Sequence, residues 1–228
     1  MISKKIDCTV PRRSTPPAPK RGRPVSFDRD EVLEQAMSVF WAKGFGGASM
    51  SDLTAAMGIA SPSLYAAFGS KESLYRAALD HYVALHKEAV SRIMELPTAY
   101  ESIEGLLRNA VIVFSRTDFP SGCMVEQTAG EACDMSAELM AGLREMRAAN
   151  DENFFARLRK GVEDGDVAAG TDIRAVAAFY ATVNKGLSLS ARGGTGPDEL
   201  NSVVTSAMAA WPLLVEARKQ RTSDKDCF

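Results

Sequence analysis

Residues 49–71, SMSDLTAAMGIASPSLYAAFGSK, constrain the fold more than any other part of this 228-residue chain. They spell two short helices around a tight turn. Ser49 is placed to cap the first, and Asp52 follows three residues later, where a capping box wants an acid. Leu53, Ala56 and Met57 give one apolar face at helical spacing. Gly58 comes next, where the left-handed conformation that closes a helix costs glycine least. Ser61-Pro62 restarts a helix, with serine as cap and proline at the first helical position, where its missing N–H goes unused. Leu64 and Phe68 then point inward, leaving Ser61, Ser63, Tyr65 and Ala66 on another face. This is the pattern of a helix-turn-helix. Its second helix can lie in the DNA major groove with its N-terminal residues at the base edges. An ordinary helical hairpin is the competing reading of the stretch alone.

A net charge of −2 looks wrong for a nucleic-acid binder until it is divided along the chain. Residues 1–26 carry seven Lys or Arg and one Asp, a balance of +6. Residues 27–82 carry four basic and seven acidic residues, −3, and the remainder sixteen and twenty-one, −5. The positive charge therefore precedes the helix-turn-helix directly, as a basic arm for a polyanion would. Residues 1–26 hold five prolines and few apolar residues, a composition expected to be disordered in isolation. Within them, Pro19-Lys20-Arg21-Gly22-Arg23-Pro24 resembles an AT-hook core. Arg21 and Arg23 around a glycine can enter the narrow minor groove of A·T-rich DNA, where the negative potential favours arginine. A solvated basic linker is the plainer reading.

Hydrophobic periodicity outside this region is helical throughout, and no strand-length alternation or internal repeat stands out. A helix is expected over 28–43, with Val32, Leu33, Ala36 and Phe40 on one face and Gly44-Phe45-Gly46-Gly47 ending it. Ser70 caps a long helix reaching about residue 96, which Pro97 stops. Thr98 and Glu101 open the next, to about 116, with Ile103, Leu107, Val111 and Phe114 in its stripe. A short helix over 123–133 and a long one over 136–163 follow. The segment 172–192 is apolar nearly all round, so it must be buried on two sides. The last helix, carrying Leu200 to Leu214, is kinked by Pro212, and residues 219–228 fray. The fold class is all-α.

These features resemble the tetracycline-repressor (TetR) family of transcriptional regulators. Phe40 with Gly44-Phe45, the run Ser49-Met50-Ser51-Asp52-Leu53, Met57-Gly58-Ile59, and above all the run from Ser63 to Leu74, SLYAAFGSKESL, carry the likeness, over roughly residues 27–82. The resemblance implies a nine-helix homodimer. Residues 27–70 would form a three-helix DNA-binding domain and 71–218 a ligand and dimerisation domain, its last two helices packing against their copies. Such a dimer reads a palindromic operator with half-sites about one or more helical turns apart. Tyr65 and Lys71 match positions that in the family touch phosphate. Ser49 lies at a helix N-terminus suited to a phosphate, and Ser61, Pro62, Ser63 and Ala66 occupy the surface facing the bases. Where many relatives carry polar or basic side chains, this chain has Ala66 and Ala67, which offer only apolar contact with thymine methyls or close fit.

The resemblance further implies a small-molecule inducer that releases the operator. Phe114, Met124, Gln127, Met146, Phe154, Tyr180 and Asn184 are candidate pocket residues, a mixture suited to a hydrophobic molecule. Cys123, at the start of an expected helix, is a candidate redox or electrophile sensor, since the helix dipole can lower a thiol pKa. Its surroundings, with Cys133, look like those of the N-ethylmaleimide-reductase repressor group. An architectural DNA binder without an inducer is a further alternative. The four cysteines lack the spacing of a disulfide framework or a zinc site. The two histidines, His81 and His86, share no helical face well. No catalytic constellation, metal site or cofactor motif is evident. Neither a secretory signal nor a membrane-spanning run is present. A cytoplasmic regulator without cofactor, rather than an enzyme, is the expectation.

Overall fold

The computed structural model describes residues 28–130 and 135–215. Arg21, Arg23, Cys133 and the tail from 219 lie outside the described residues. The order is α1 (Arg29–Gly47), α2 (Met50–Met57), α3 (Ser61–Phe68), α4 (Lys71–Met94), α5 (Ala99–Phe114), α6 (Met124–Gln127), a 3₁₀ turn (Thr128–Gly130), α7 (Ala137–Asp164), α8 (Ile173–Arg192), α9 (Pro197–Ala209) and α10 (Trp211–Val215). Among the described residues all regular structure is helical, and no helix is long and apolar enough to cross a membrane. Helices α9 and α10 are separated only by Ala210, ahead of Pro212, so the two form one broken rod and the described chain contains nine rods.

The elements begin and end for local reasons. Asp28, Ser49, Thr98, Ser136 and Asp172 each accept a backbone N–H in the first turn of the helix that follows. Ser49 with Asp52 and Thr98 with Glu101 form complete capping boxes. Helix α1 runs four residues past the expected stop at Lys43. Gly44 breaks it at φ 72°, ψ 173°, and the chain then resumes its turn. The break swings Phe45 inward, where it stacks on Phe40 at 6.4 Å and tilts against Tyr75 of α4 at 5.2 Å between centroids. The expected helix over 123–133 is shorter: α6 has four residues and passes into the 3₁₀ turn.

One continuous core runs from α1 through α4 and α5 to α8 and α9. Helix α4 is the shared wall. Tyr75 meets Phe40 at 4.8 Å and Tyr82 meets Trp41 at 5.0 Å, edge to face, so α1 rests on it. Helix α8 buries Val176, Tyr180 and Leu187, while Phe179 and Leu189 of its other side are exposed, Leu189 at 74%. Val203 of α9 is exposed as well.

Candidate nucleic-acid interface and cavity

Helices α2 and α3 are joined through Gly58, left-handed at φ 64°, as the sequence demands. The Ser49 hydroxyl accepts from the Asp52 N–H at 3.0 Å and donates to the Asp52 carboxylate at 2.8 Å. That carboxylate also accepts from the Ser49 N–H and pairs with Lys43 Nζ at 2.7 Å. The Lys43 ammonium, and after it Ser49, hold the Asp52 carboxyl at about 2. The Ser49 side chain is thus engaged in capping. Ser61, by contrast, is not a cap. The chain enters α3 through Ala60, extended at ψ 150°, with Ser61 already helical and Pro62 in the first turn. Proline is accepted throughout that turn because the first N–H groups have no intrahelical acceptor. The Ser61 hydroxyl is therefore not spent on the backbone. Ser61, Pro62, Ser63, Tyr65 and Ala66 are all exposed, opposite the buried Leu64 and Phe68. Lys71 opens α4 with Nζ 4.5 Å over the Phe45 ring, so its stem is packed and its position tied to the Gly44 break.

Further along α4 a cavity of about 500 Å³ opens between helices. Helix α4 contributes Tyr82, His86 and Val90; α5 Leu106, Asn109 and Phe114; α7 Asn150, Asn153 and Phe154; and α8 Asn184, with Cys123 and Val125 at one end. Of the expected pocket residues, Phe114, Cys123, Phe154 and Asn184 line it. Met124, Gln127, Met146 and Tyr180 do not. Met124 is core. Met146 is partly buried and packs against that core. Gln127 accepts from Arg192 at 2.6 Å. The Tyr180 hydroxyl donates to the Ala207 carbonyl at 3.3 Å, joining α8 to α9. An inward-facing side chain is not thereby a cavity-facing one. Asn109, Asn150 and Asn153 were not singled out by sequence, because asparagine on a helix ordinarily reads as solvated surface. Their spacing against the apolar stripes of α5 and α7 was the available signal.

Cys123 does not sit as an activated thiolate. It is buried, with Tyr82 Oη donating to Sγ at 3.6 Å and its own N–H donating to Ser188 Oγ at 2.8 Å. Burial pushes the Cys123 thiol up from its ordinary value. The four-residue α6 behind it offers little dipole to oppose that. The expectation of a dipole-lowered thiol is corrected accordingly.

The cavity and the head are connected twice. Helix α4 passes from Lys71 to the cavity wall without interruption. Arg192, at the end of α8, donates to the carbonyls of Trp41 at 3.2 Å and Ala42 at 3.3 Å, just before the Gly44 break, and to Gln127. These are carbonyls left over where α1 is interrupted.

Comparison with known proteins resolves what this arrangement belongs to. Residues 32–78 match the family described as bacterial regulatory proteins, tetR family, and residues 99–207 match the tetracyclin repressor-like C-terminal domain. The HTH-type transcriptional repressor ComR of Escherichia coli (strain K12) is 32% identical over 200 residues, covering 86% of this chain and 94% of ComR. The chain belongs to the TetR family. Among solved structures, a cysteine mutant of the TetR-family regulator CifR, complexed with 26-bp double-strand operator DNA, is 44% identical at a TM-score of 0.80. The match covers 84% of this chain and all of the CifR chain. The reduced form of Escherichia coli NemR, at 21% identity and a TM-score of 0.66, shares the fold with this TetR-family regulator.

Proposed function

We propose that this TetR-family regulator is a homodimeric repressor, released from a palindromic operator when a small, largely apolar inducer enters the cavity beside α4. The observation that carries this reading is the cavity's position. Its wall is the same helix whose first residue, Lys71, stands at the reading head. At 1.5 Å per residue, 24 residues of α4 make a lever of about 36 Å. A ligand that shifts its middle turns the two heads of a dimer away from their half-site spacing. The Arg192 bridge carries the same displacement from α8 to the end of α1.

Residues 27–70 serve as the head and 71–218 as the sensor and dimerisation unit. On DNA, Ser61, Pro62, Ser63 and Ala66 face the base edges, while Tyr65, Lys71 and the N-terminus of α2 at Ser49 meet phosphates. Arg21 and Arg23 of the basic arm add minor-groove contacts. The exposed Phe179 and Leu189 of α8, with Val203 of α9, supply apolar surface for the second copy. CifR, the relative seen on operator DNA, supports operator binding here. The buried Cys123 thiol counts against the alternative of a thiolate sensor, and the cavity against an architectural role.

The test is a thermal-shift screen of small molecules on the full-length protein, each hit then assayed for operator release by fluorescence anisotropy. Stabilising ligands that also raise the operator Kd at least tenfold are expected. To reverse an occupied operator requires several kcal/mol of differential affinity between the two states. Stabilising ligands that leave operator binding unchanged sink the inducer reading.

A further inference from the structure

The polar lining of the cavity defines its ligand more closely than size does. Four asparagines from three helices converge on it: Asn109 of α5, Asn150 and Asn153 of α7, and Asn184 of α8. Asn150 and Asn153, three apart, share one helical face. All four are half-buried. Only Asn150 has a protein hydrogen bond among the described residues, a long one of 3.4 Å to Glu126 Oε1. Each remaining amide brings two donors and an acceptor into a space with apolar walls at Leu106, Phe114, Val125 and Phe154 and further polar lining at Tyr82, His86, Lys87 and Ser91. Half-buried polar groups of this kind are satisfied by water or by a ligand.

We infer that the cavity binds an uncharged molecule with an apolar body and one end that both donates and accepts hydrogen bonds, a carboxamide or lactam, held by the amides of Asn109, Asn153 and Asn184. This rests on the inducer reading above and deepens it. An amide end matches the bonding pattern of the asparagine cluster group for group. An apolar molecule of the same shape strips water from the amides and returns nothing, which is how a polar site rejects its apolar isostere. A carboxylate cannot answer the amide carbonyls with a donor, and it needs a cation. The charged side chain at the cavity, Lys87, is exposed. The other basic group, His86, is held toward its neutral form by burial and by the nearby Arg116.

The experiment uses the full-length protein and a matched probe set: 4-phenylbutanamide, 4-phenylbutanoate and butylbenzene. Binding is measured by calorimetry and operator affinity by anisotropy. The carboxamide is expected to bind at least tenfold more tightly than either companion. Asn153→Leu and Asn184→Leu, similar in volume, should each erase most of that preference while leaving butylbenzene binding equal or stronger. Thermal melts of both variants, matching the parent, show that they fold. Equal binding of amide and hydrocarbon, tighter binding of the carboxylate, a preference that survives both substitutions, or no binding by any probe overturns the inference. Carboxamide binding that leaves the operator bound upholds the ligand class and overturns the inducer reading. Butylbenzene binding as tight as the carboxamide, with operator release, does the reverse.

Discussion

The head and the sensor half of this regulator are held by different kinds of polar contact. In the head the helix caps are local: Asp28 to Asp30, Ser49 to Asp52, and Ser70 to Ser73 span two or three residues, and the Lys43–Asp52 pair spans nine. In the C-terminal half, local caps and pairs such as Thr98–Glu101 and Lys160–Asp164 are joined by bonds that span the fold. Arg157 bonds Ser102 and the Leu96 carbonyl, 55 and 61 residues away, and Arg108 reaches Asn201 across 93. Local caps fix where short helices start, and the apolar seam then packs them. Long-range bonds fix how long helices lie against one another, and so the shape of whatever space they enclose. The caps of the small head are thus written in its own stretch of chain, while the C-terminal half also depends on partners far along it.

The sharpest way to break this contrast is at Arg157. It is 1% exposed, and its Nη1 has no partner among the described residues. Its other nitrogens join the loop after α4 to α5. Arg157→Ala leaves Ser102 Oγ and the Leu96 carbonyl without their donor and opens a void. A loss of about 3 kcal/mol in urea unfolding is expected. Arg157→Met, which keeps the volume and removes the buried charge, should lose much less. Equal losses would show that the two bonds, rather than packing, set the cost.

The basic arm tests the head's self-sufficiency. Residues 27–82 carry −3 and α3 exposes Ala66, whereas residues 1–26 carry +6. Deleting residues 1–24 should weaken operator binding about 10- to 100-fold, or about 1.4–2.8 kcal/mol. Loss of the Arg21 and Arg23 phosphate or groove contacts should flatten the slope of log K against log salt by about 2. Unchanged affinity and slope would mean that the folded head binds alone.

The same division explains what could be read in advance. The capping boxes at Ser49 and Thr98, the Gly58 turn and the inward Leu64 and Phe68 depend on neighbours within four residues, and each stood in the sequence as found. The Gly44 break is visible in the sequence but its outcome is not: a run of glycines reads as an end, whereas Phe45 finds a place against Phe40 and, from the distant α4, Lys71 and Tyr75. Serine before proline reads as a cap, whereas the extended Ala60 takes that place and leaves Ser61 as the first helical residue. In the sensor half, periodicity identified inward faces but not the hollow among them. Tyr180 is inward and spent on Ala207, while Asn184, one turn on, reaches the cavity. Which inward residues leave space is decided by helices that meet from distant parts of the chain.

The smallest predicted effect probes the head's local economy. Ser49→Ala removes the acceptor for the Asp52 N–H and the donor to its carboxylate, and should cost about 1 kcal/mol at neutral pH. The cost depends on pH through Asp52. Its carboxyl lies at about 2 in the folded protein, against an ordinary 3.8, with Lys43 the larger cause and Ser49 the next. A folded-state value below the unfolded one gives stability that is complete above the unfolded value and is lost as pH falls toward the folded one. The variant's Asp52 should therefore titrate above 2 but still below 3.8, because Lys43 remains. Its stability deficit should be constant above about pH 5 and shrink between about pH 4 and 2. Solvent around this exposed carboxylate screens the pair, so the shrinkage is a fraction of the deficit rather than all of it. Paired urea titrations over that range, with NMR titration of the Asp52 carboxyl, measure both quantities. A deficit that stays flat to pH 2 would assign the whole of Ser49's contribution to the backbone N–H it caps and none to the carboxylate it serves.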